Sequence, residues 1–339
     1  MHRVRLGVLD VGSNTVHLLV VDAHRGAHPT PMSSEKSVLR LAEQLDADGQ
    51  LTRAGADHLI RTVAASKAAA LRMECEDLMA FATSAVRDAG NSAEVLERVR
   101  NETGVDLKVL TGDDEARYTF LAVRRWYGWS AGRLLCLDIG GGSLELAVGV
   151  DEDAEQAFSV PLGAGRLTRT RFRKDPPSRA EIRDTTEWLD DQLASVAKEL
   201  RRSGTPDRVV ATSKTFRTLA RLTGAAPSSA GPRAKRVLTD AGLRQLIAFI
   251  SRMSAGDLAG LEGVSSSRAH QLVAGALVAD ATMRALSLTQ LEICPWALRE
   301  GVILRRLDHT NGSEQTAPTA PGRQPGDTGR SGQHGARWS

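Results

Sequence analysis

The chain has 339 residues, 41% of them hydrophobic, enough for two domains of ordinary size with cores of their own. Its formal net charge of +3 is mild and argues against a nucleic-acid coat or a protein that works on membrane surfaces. No stretch approaches the ~20 apolar residues of a membrane span, and no charged start leads into an apolar core segment, so no signal peptide is expected.

Residues 4–45 alternate apolar runs with turn residues and predict β-hairpin material. Val4 to Leu9 is apolar, Asp10 ends the run, residues 11–15 turn, and Val16 to Val21 form the next strand. From Leu51 the period changes. Thr52 caps a helix to about Arg72, with Leu59, Ile60, Val63 and Ala64 on its apolar face. Leu78 to Ala82 predicts a short strand. Asn91 and Ser92 open a helix over Glu94–Glu102 that Gly104 closes, and Leu107 to Leu110 is a strand. Asp113 starts a helix reaching Trp126. Residues 134–160 predict a second hairpin, and Ser178 with Glu181 makes a capping box for a helix over 179–202. Val209 to Ala211 reads as a strand and 225–236 as a loop. From Thr239 to about Asp308 the pattern is helical, interrupted by a strand at Leu291–Cys294. Residues 309–339 lose all apolar periodicity and predict a disordered tail. Strands alternating with helices give an α/β class. Cys75, Cys136 and Cys294 are far apart and odd in number, so they suit a reducing cytoplasm rather than a disulfide framework or a metal site.

Chemistry concentrates in Leu134–Gly149. An apolar strand ends at Asp138, Gly140, Gly141 and Gly142 turn, Ser143 follows, and Glu145 lies in the next apolar run. Residues without a Cβ let backbone N–H groups close on an anion. A carboxylate there would repel phosphate, so the acid makes sense with a hard cation between them. An ordinary hairpin would use the same residues with no ligand. The turn at Asp10 tips the balance, because Asp-Val-Gly-Ser-Asn repeats the pattern with the same flanking strands. Two copies a domain apart suggest a duplicated fold with a site between its halves. Ser13, Asn14 and Thr15 offer donors to a phosphate, or simply cap the turn. Thr83 and Arg87 could clamp phosphate oxygens, the Arg through its planar fork, or Arg87 could sit on the surface at a helix start. Gly112-Asp113-Asp114-Glu115 places three acids at a helix N-terminus, where each also favours the helix by ~0.3–1 kcal/mol. A P-loop motif and a His/Cys cluster of zinc type are both missing from the sequence.

The paired turns resemble the actin-like ATPase superfamily. The wording is narrower: Asp-Val-Gly-Ser-Asn-Thr at Asp10, Ala-Thr-Ser-Ala-Val-Arg-Asp-Ala at Ala82, Gly-Asp-Asp-Glu-Ala-Arg at Gly112 and Asp-Ile-Gly-Gly-Gly-Ser-Leu-Glu at Asp138. In that order they resemble the exopolyphosphatase and guanosine-pentaphosphate phosphatase family, from residue 5 to about 308. The resemblance implies an α/β fold of two actin-like (ribonuclease H-like) domains, 1–125 and 126–308, with a cleft between them and helical additions on the second. The family's longer members continue into a further helical domain, so this is expected to be a short form.

The activity so implied is metal-dependent hydrolysis of the terminal phosphoanhydride bond of inorganic polyphosphate, releasing orthophosphate. Phosphohydrolase action on guanosine pentaphosphate, or sensing of either ligand without turnover, are the alternatives. Glu115, directly before Ala116 and Arg117, matches the family's general base, although Asp113 and Asp114 stand where Glu is usual. Phosphate contacts are implied at Ser13, Asn14, Thr83, Arg87, Gly140, Gly141, Gly142 and Ser143. Asp138 and Glu145, with Asp10 from the other domain, are implied ligands of Mg²⁺ or Mn²⁺. Residues 161–168 resemble the family's P-L-G-x-x-R-L run, and Arg166 lines the cleft or makes a structural pair. Ala211-Thr212-Ser213-Lys214-Thr215 falls where the family often carries Gly-Gly-Thr. Lys214 departs from that turn and suits a chain of phosphates, or is an exposed lysine. Among further family positions, His270 reads as structural, and Arg299 with Glu300 as an ion pair or part of the site. No nucleic acid or membrane is expected as a partner. A homodimer is, because relatives dimerise and residues 239–308 offer apolar faces.

Overall fold

A computed structural model describes residues 4–24 and 29–310; the predicted tail lies outside them from residue 311 onward. The first part of the chain supplies β1 (Val4–Val11), β2 (Thr15–Ala23), β3 (Pro31–Val38), α1 (Arg53–Arg72), β4 (Asp77–Ala82), α2 (Ser84–Arg87), α3 (Ser92–Thr103), β5 (Lys108–Val109) and α4 (Gly112–Tyr127). Its sheet is ordered β3-β2-β1-β4-β5. The meander β1-β2-β3 is antiparallel, and β4 joins β1 in parallel on the other side. β1 and β2 are apolar on both faces because both faces are covered. β3 is exposed, and its Glu35 and Lys36 blunt a free edge.

The second part repeats the plan with β6 (Leu134–Ile139), β7 (Leu144–Gly149), β8 (Gln156–Val160), α5 (Ala164–Arg171), α6 (Arg179–Arg202), β9 (Arg208–Thr212), α7 (Ser213–Leu222), β10 (Val237–Thr239), α8 (Asp240–Ile250), α9 (Ala255–Ala259), α10 (Leu272–Ala285), β11 (Gln290–Ile293) and α11 (Leu298–Thr310). The sheet runs β10-β11-β9-β6-β7-β8, again an antiparallel meander with parallel strands beside its first member. The duplicated turns therefore sit on duplicated sheets. The capping box of α6 is present as expected. α2 is the helix start offered for Arg87, α5 and α7 are helices that the apolar pattern did not announce, and the strand expected at 107–110 shrinks to β5.

α10 is buried almost all round and forms the spine of the larger core, so the apolar faces of this region are largely filled by the chain itself. Among the described residues no helix is long and apolar enough to cross a membrane.

Two helices cross between the sheets. α4 packs Ala116, Phe120 and Val123 on Leu134, Cys136 and Ala147 of the second sheet. α11 packs Ile303 and Leu307 on Leu6, Val8, Leu19 and Phe81 of the first. The two also touch each other, so closely that a Cβ on Gly301 would overlap the Tyr118 backbone carbonyl. Arg125 adds a bond of 2.7 Å to Asp308.

Candidate active site

Each sheet presents one Asp-Gly turn to a common cleft of about 340 Å³. In the first, Gly12 N–H donates to the Thr15 carbonyl at 3.0 Å; in the second, Gly140 N–H donates to the Ser143 carbonyl at 2.9 Å. The turns are thus built alike. α5 sets the second one from behind. The Ala164 and Arg166 amides donate to the Gly140 and Gly141 carbonyls at 3.0 and 2.9 Å. With those carbonyls drawn back, the turn offers N–H groups to the cleft. Gly163 lets α5 come this close, since a Cβ there would overlap the Gly142 backbone.

The Ala-Thr-Ser runs form a second duplicated pair. Thr83 and Thr212 end β4 and β9 in extended conformation and start α2 and α7. Thr83 and Ser213 line the cleft. Ser213 adopts φ 76°, a left-handed conformation that costs a residue with a Cβ of order 1–2 kcal/mol. Ser213 also hydrogen-bonds Asp138.

Asp10, Glu115, Asp138 and Glu145 all face this cleft. Asp138 and Glu145 are directly opposed across the β6–β7 ladder, so their side chains share one face of the sheet. Burial pushes Asp138 up to about 6, against the pull of Arg217 and the Ser213 bond. Burial also raises Glu145 well above its usual value, reinforced by Glu115 and Asp138 and opposed by bonds from Ser143 and Ser159. Ser159 Oγ donates to Glu145 at 3.0 Å. Glu115 rises to about 7, first from burial, although Arg87 holds it back. Asp10 is raised by burial and opposed by Arg299, which donates to it at 3.1 Å.

Among the described residues no group of three or more His, Cys, Asp and Glu side chains forms a ready metal cage. Mg²⁺ does not need one, because it commonly keeps waters and takes one or two carboxylates plus substrate phosphate oxygens. The opposed, repelling acids Asp138 and Glu145 fit that donor set. Asp10, tied to Arg299, is less free to join them.

Several candidate residues are spent differently from expectation. Arg87 does not line the cleft. It lies behind Glu115, paired with it and donating to the Leu110 carbonyl at 3.0 Å. The Asn14 side chain lines the cleft but exchanges two bonds, 3.1 and 3.2 Å, with Gln271. Arg166 and Gly142 face a separate cavity on the far side of the turn. Ser13, Ser143, Gly140, Gly141 and Lys214 line the cleft itself. His270 lies 3.3 Å from Glu43 and outside the cleft lining.

The sequence reading passed over His17 and Lys36. They are register partners on β2 and β3, and both line the cleft. His17 occupies in the first meander the place Glu145 holds in the second, opposite the turn's Asp. Burial and the neighbouring Arg299 and Lys36 lower it to about 3, so it is neutral; its Nδ1 is buried and has no hydrogen-bond partner. Strand alternation gave no signal for either residue. Lys36, Lys214 and Arg217 also line a further cavity of about 500 Å³ that continues the cleft toward Arg221 and Arg236. Arg221 is paired with Glu262, and Arg236 holds loop carbonyls, so the first three supply the cations facing the junction.

A chain with duplicated Asp-Gly turns, an acid at a helix start between them and a basic extension has close counterparts. Exopolyphosphatase 1 of Mycobacterium tuberculosis is 64% identical over 332 residues, covering 96% of each chain. Exopolyphosphatase 1 of Mycobacterium leprae is 65% identical over 305 residues, covering 90% of each. The crystal structure of the Ppx/GppA family member of Aquifex aeolicus superposes with a TM-score of 0.76 at 25% identity, covering 91% of this chain and 99% of that one. This likeness establishes the two-domain actin-like fold with the cleft between its sheets. The Ppx/GppA phosphatase family matches residues 20–310, and the chain belongs to it.

Proposed function

We propose that this chain is an exopolyphosphatase, releasing orthophosphate from the end of inorganic polyphosphate. One observation carries the substrate: the cleft holding the acids and glycine turns runs on into a cavity edged by Lys36, Lys214 and Arg217. A terminal phosphate fits at the turns and a chain of further phosphates fits along the cations. The names of the mycobacterial relatives support the same reading. The triphosphate end of guanosine pentaphosphate would meet the same groups and is the second substrate to test.

In this reading the Gly141 and Ser143 amides, with Ser13 and Thr83, hold the terminal phosphate, while the Gly140 amide closes the turn on the Ser143 carbonyl. Glu115 accepts a proton from a water in line with the terminal phosphorus as the water oxygen bonds to it. The bond to the bridging oxygen breaks, and the shortened chain leaves with that oxygen. A base pushed toward 7 is well matched to this task near neutrality. Arg87 orients Glu115 rather than touching substrate. Asp138 and Glu145 would hold Mg²⁺ or Mn²⁺, which supplies positive charge to the phosphate oxygens. Arg217, Arg268 and Arg299 add to that charge from the second sheet and α11 side.

We further take residues 1–125 and 126–308 as the two domains that close on the substrate, with the boundary falling inside α4, which packs on the second sheet as α11 packs on the first, and a reducing cytoplasm as the setting in which the three thiols stay free. The decisive assay is phosphate release from polyphosphates of defined length, beside guanosine pentaphosphate and ATP, with and without Mg²⁺. Polyphosphate should be turned over fastest. Faster turnover of guanosine pentaphosphate would overturn the substrate, and no release from any of them would overturn the hydrolase reading.

A further inference from the structure

Behind the glycine turns lies a cavity of about 260 Å³ that shares Ser13, Ser84 and Gly141 with the cleft or its wall. The partition is thin. Ser13 Oγ and Ser84 Oγ lie 3.0 Å apart, a Cβ on Gly141 would come within 2.8 Å of the Ser13 Cβ, and one on Gly142 would overlap the Ser84 hydroxyl. Ser13 and Ser84 come from the first half of the chain, Gly141 and Gly142 from the second. The wall is therefore a seam between the two sheets' turns, made of residues with little or no side chain.

On the far side, Arg166 donates to the Gly142 carbonyl at 2.9 Å and pairs across the seam with Asp88. Arg169 lines the same cavity, as does Asp46. Two arginines and two aspartates leave the passage near neutrality. Such a lining neither holds a small anion nor attracts a long polyanion. At about 30 Å³ per water, the cavity has room for several waters or one tetrahedral anion.

We propose that this rear cavity is the exit for orthophosphate, an inference that rests on the hydrolase reading above. The chain of phosphates occupies the basic front extension, with its terminal unit at the glycine turns. After cleavage the free orthophosphate is the innermost piece, and the remaining chain stands between it and the front mouth. Leaving by the front requires the chain to dissociate first. Leaving through the seam requires only that two serine side chains and two glycines part, and it lets the same chain advance for another turn.

The test separates cleavage from release in the full chain with Mg²⁺. Rapid chemical quench measures total phosphate formed; a fluorescent phosphate-binding reporter measures phosphate set free. Two rim variants narrow or repel at the exit without touching the cleft: Ala47→Trp, at an exposed turn position on the rear cavity, and Arg169→Glu. On a long polyphosphate both should cleave at the unaltered rate in the first turnover and release phosphate about fivefold or more slowly. Arg169→Lys should restore release. With tripolyphosphate, whose short remnant can leave by the front, release should change less than about twofold. Release keeping pace with cleavage in both variants, or equal slowing with both substrates, would overturn the exit. No cleavage by the unaltered chain would instead overturn the hydrolase reading, and the exit with it.

Discussion

Asp138 and Glu145 stand directly opposite one another on adjacent strands, a half-buried and a buried acid on one face of a sheet. Like charges so placed are destabilising. Burial sharpens the repulsion, because little solvent screens it. The arrangement makes sense as a half-built cation site that a phosphate completes.

Activity should therefore be nearly absent in chelator and return with Mg²⁺ or Mn²⁺, both oxygen-preferring ions. Asp138→Asn should raise the metal concentration needed for half-maximal rate, since one ligand charge is gone. Glu145→Gln should do the same or abolish turnover. Titrating rate against metal for all three proteins checks this. Metal-independent activity, or an unchanged requirement in both variants, would leave these acids as structural hairpin residues.

Glu115→Gln keeps the shape and an acceptor for Arg87 but removes the base. Turnover should drop ~10²–10⁴-fold with little change in KM. A loss of less than about threefold would remove Glu115 from the role of base.

Stability without metal should fall as pH rises. In the fold Glu115 titrates near 7 against an ordinary 4.5, and Asp138 near 6 against 3.8. Between those values the folded chain keeps protons that the unfolded chain has released, and Glu145, raised well above its usual value, acts in the same direction, so these acids give stability a negative slope with pH; His17, lowered to about 3 from 6.5, opposes them only below its unfolded value. The metal-free protein should melt higher at about pH 6 than at about pH 8, and saturating Mg²⁺ should shrink the difference by favouring the charged acids. Equal or higher melting at the upper pH would contradict the raised values.

Asn14 and Gln271 form a closed, buried amide pair joining the first turn to the start of α10. Removing either amide should leave the other unsatisfied and cost about 1–3 kcal/mol in urea unfolding. In a double-mutant cycle the second alanine should add much less than the first, with a coupling of about 0.5–3 kcal/mol. Additive losses would mean that the two amides act independently.

Much of this site was legible because its demands are local. An Asp followed by glycines between apolar strands carries its own geometry, and the sequence showed it twice. Glu115 was legible through the wording of its motif. The partners were not. Nothing near Arg87 shows that Glu115 will claim it, and Asn14 finds Gln271 at the other end of the chain. Lys36 sits in an almost wholly exposed strand with no alternation to single it out, so its position at the cleft comes only from pairing with His17. The α7 helix was hidden by its start. Ser213 is left-handed, and Thr212, Ser213 and Thr215 read as turn formers, although Phe216, Leu219 and Ala220 give the helical spacing.

The exchange of α4 and α11 bears on how the chain is made. During synthesis the first sheet emerges early, but Ile303 and Leu307, which cover its Leu6, Val8, Leu19 and Phe81 face, come almost last among the described residues. For most of translation that face has no cover of its own. A nascent chain in this state exposes apolar surface and a β edge, the combination that invites aggregation. The charged β3 edge guards one side of it, and the other waits for the final helix. A message truncated before Leu298 would thus spoil the half of the protein that was translated first.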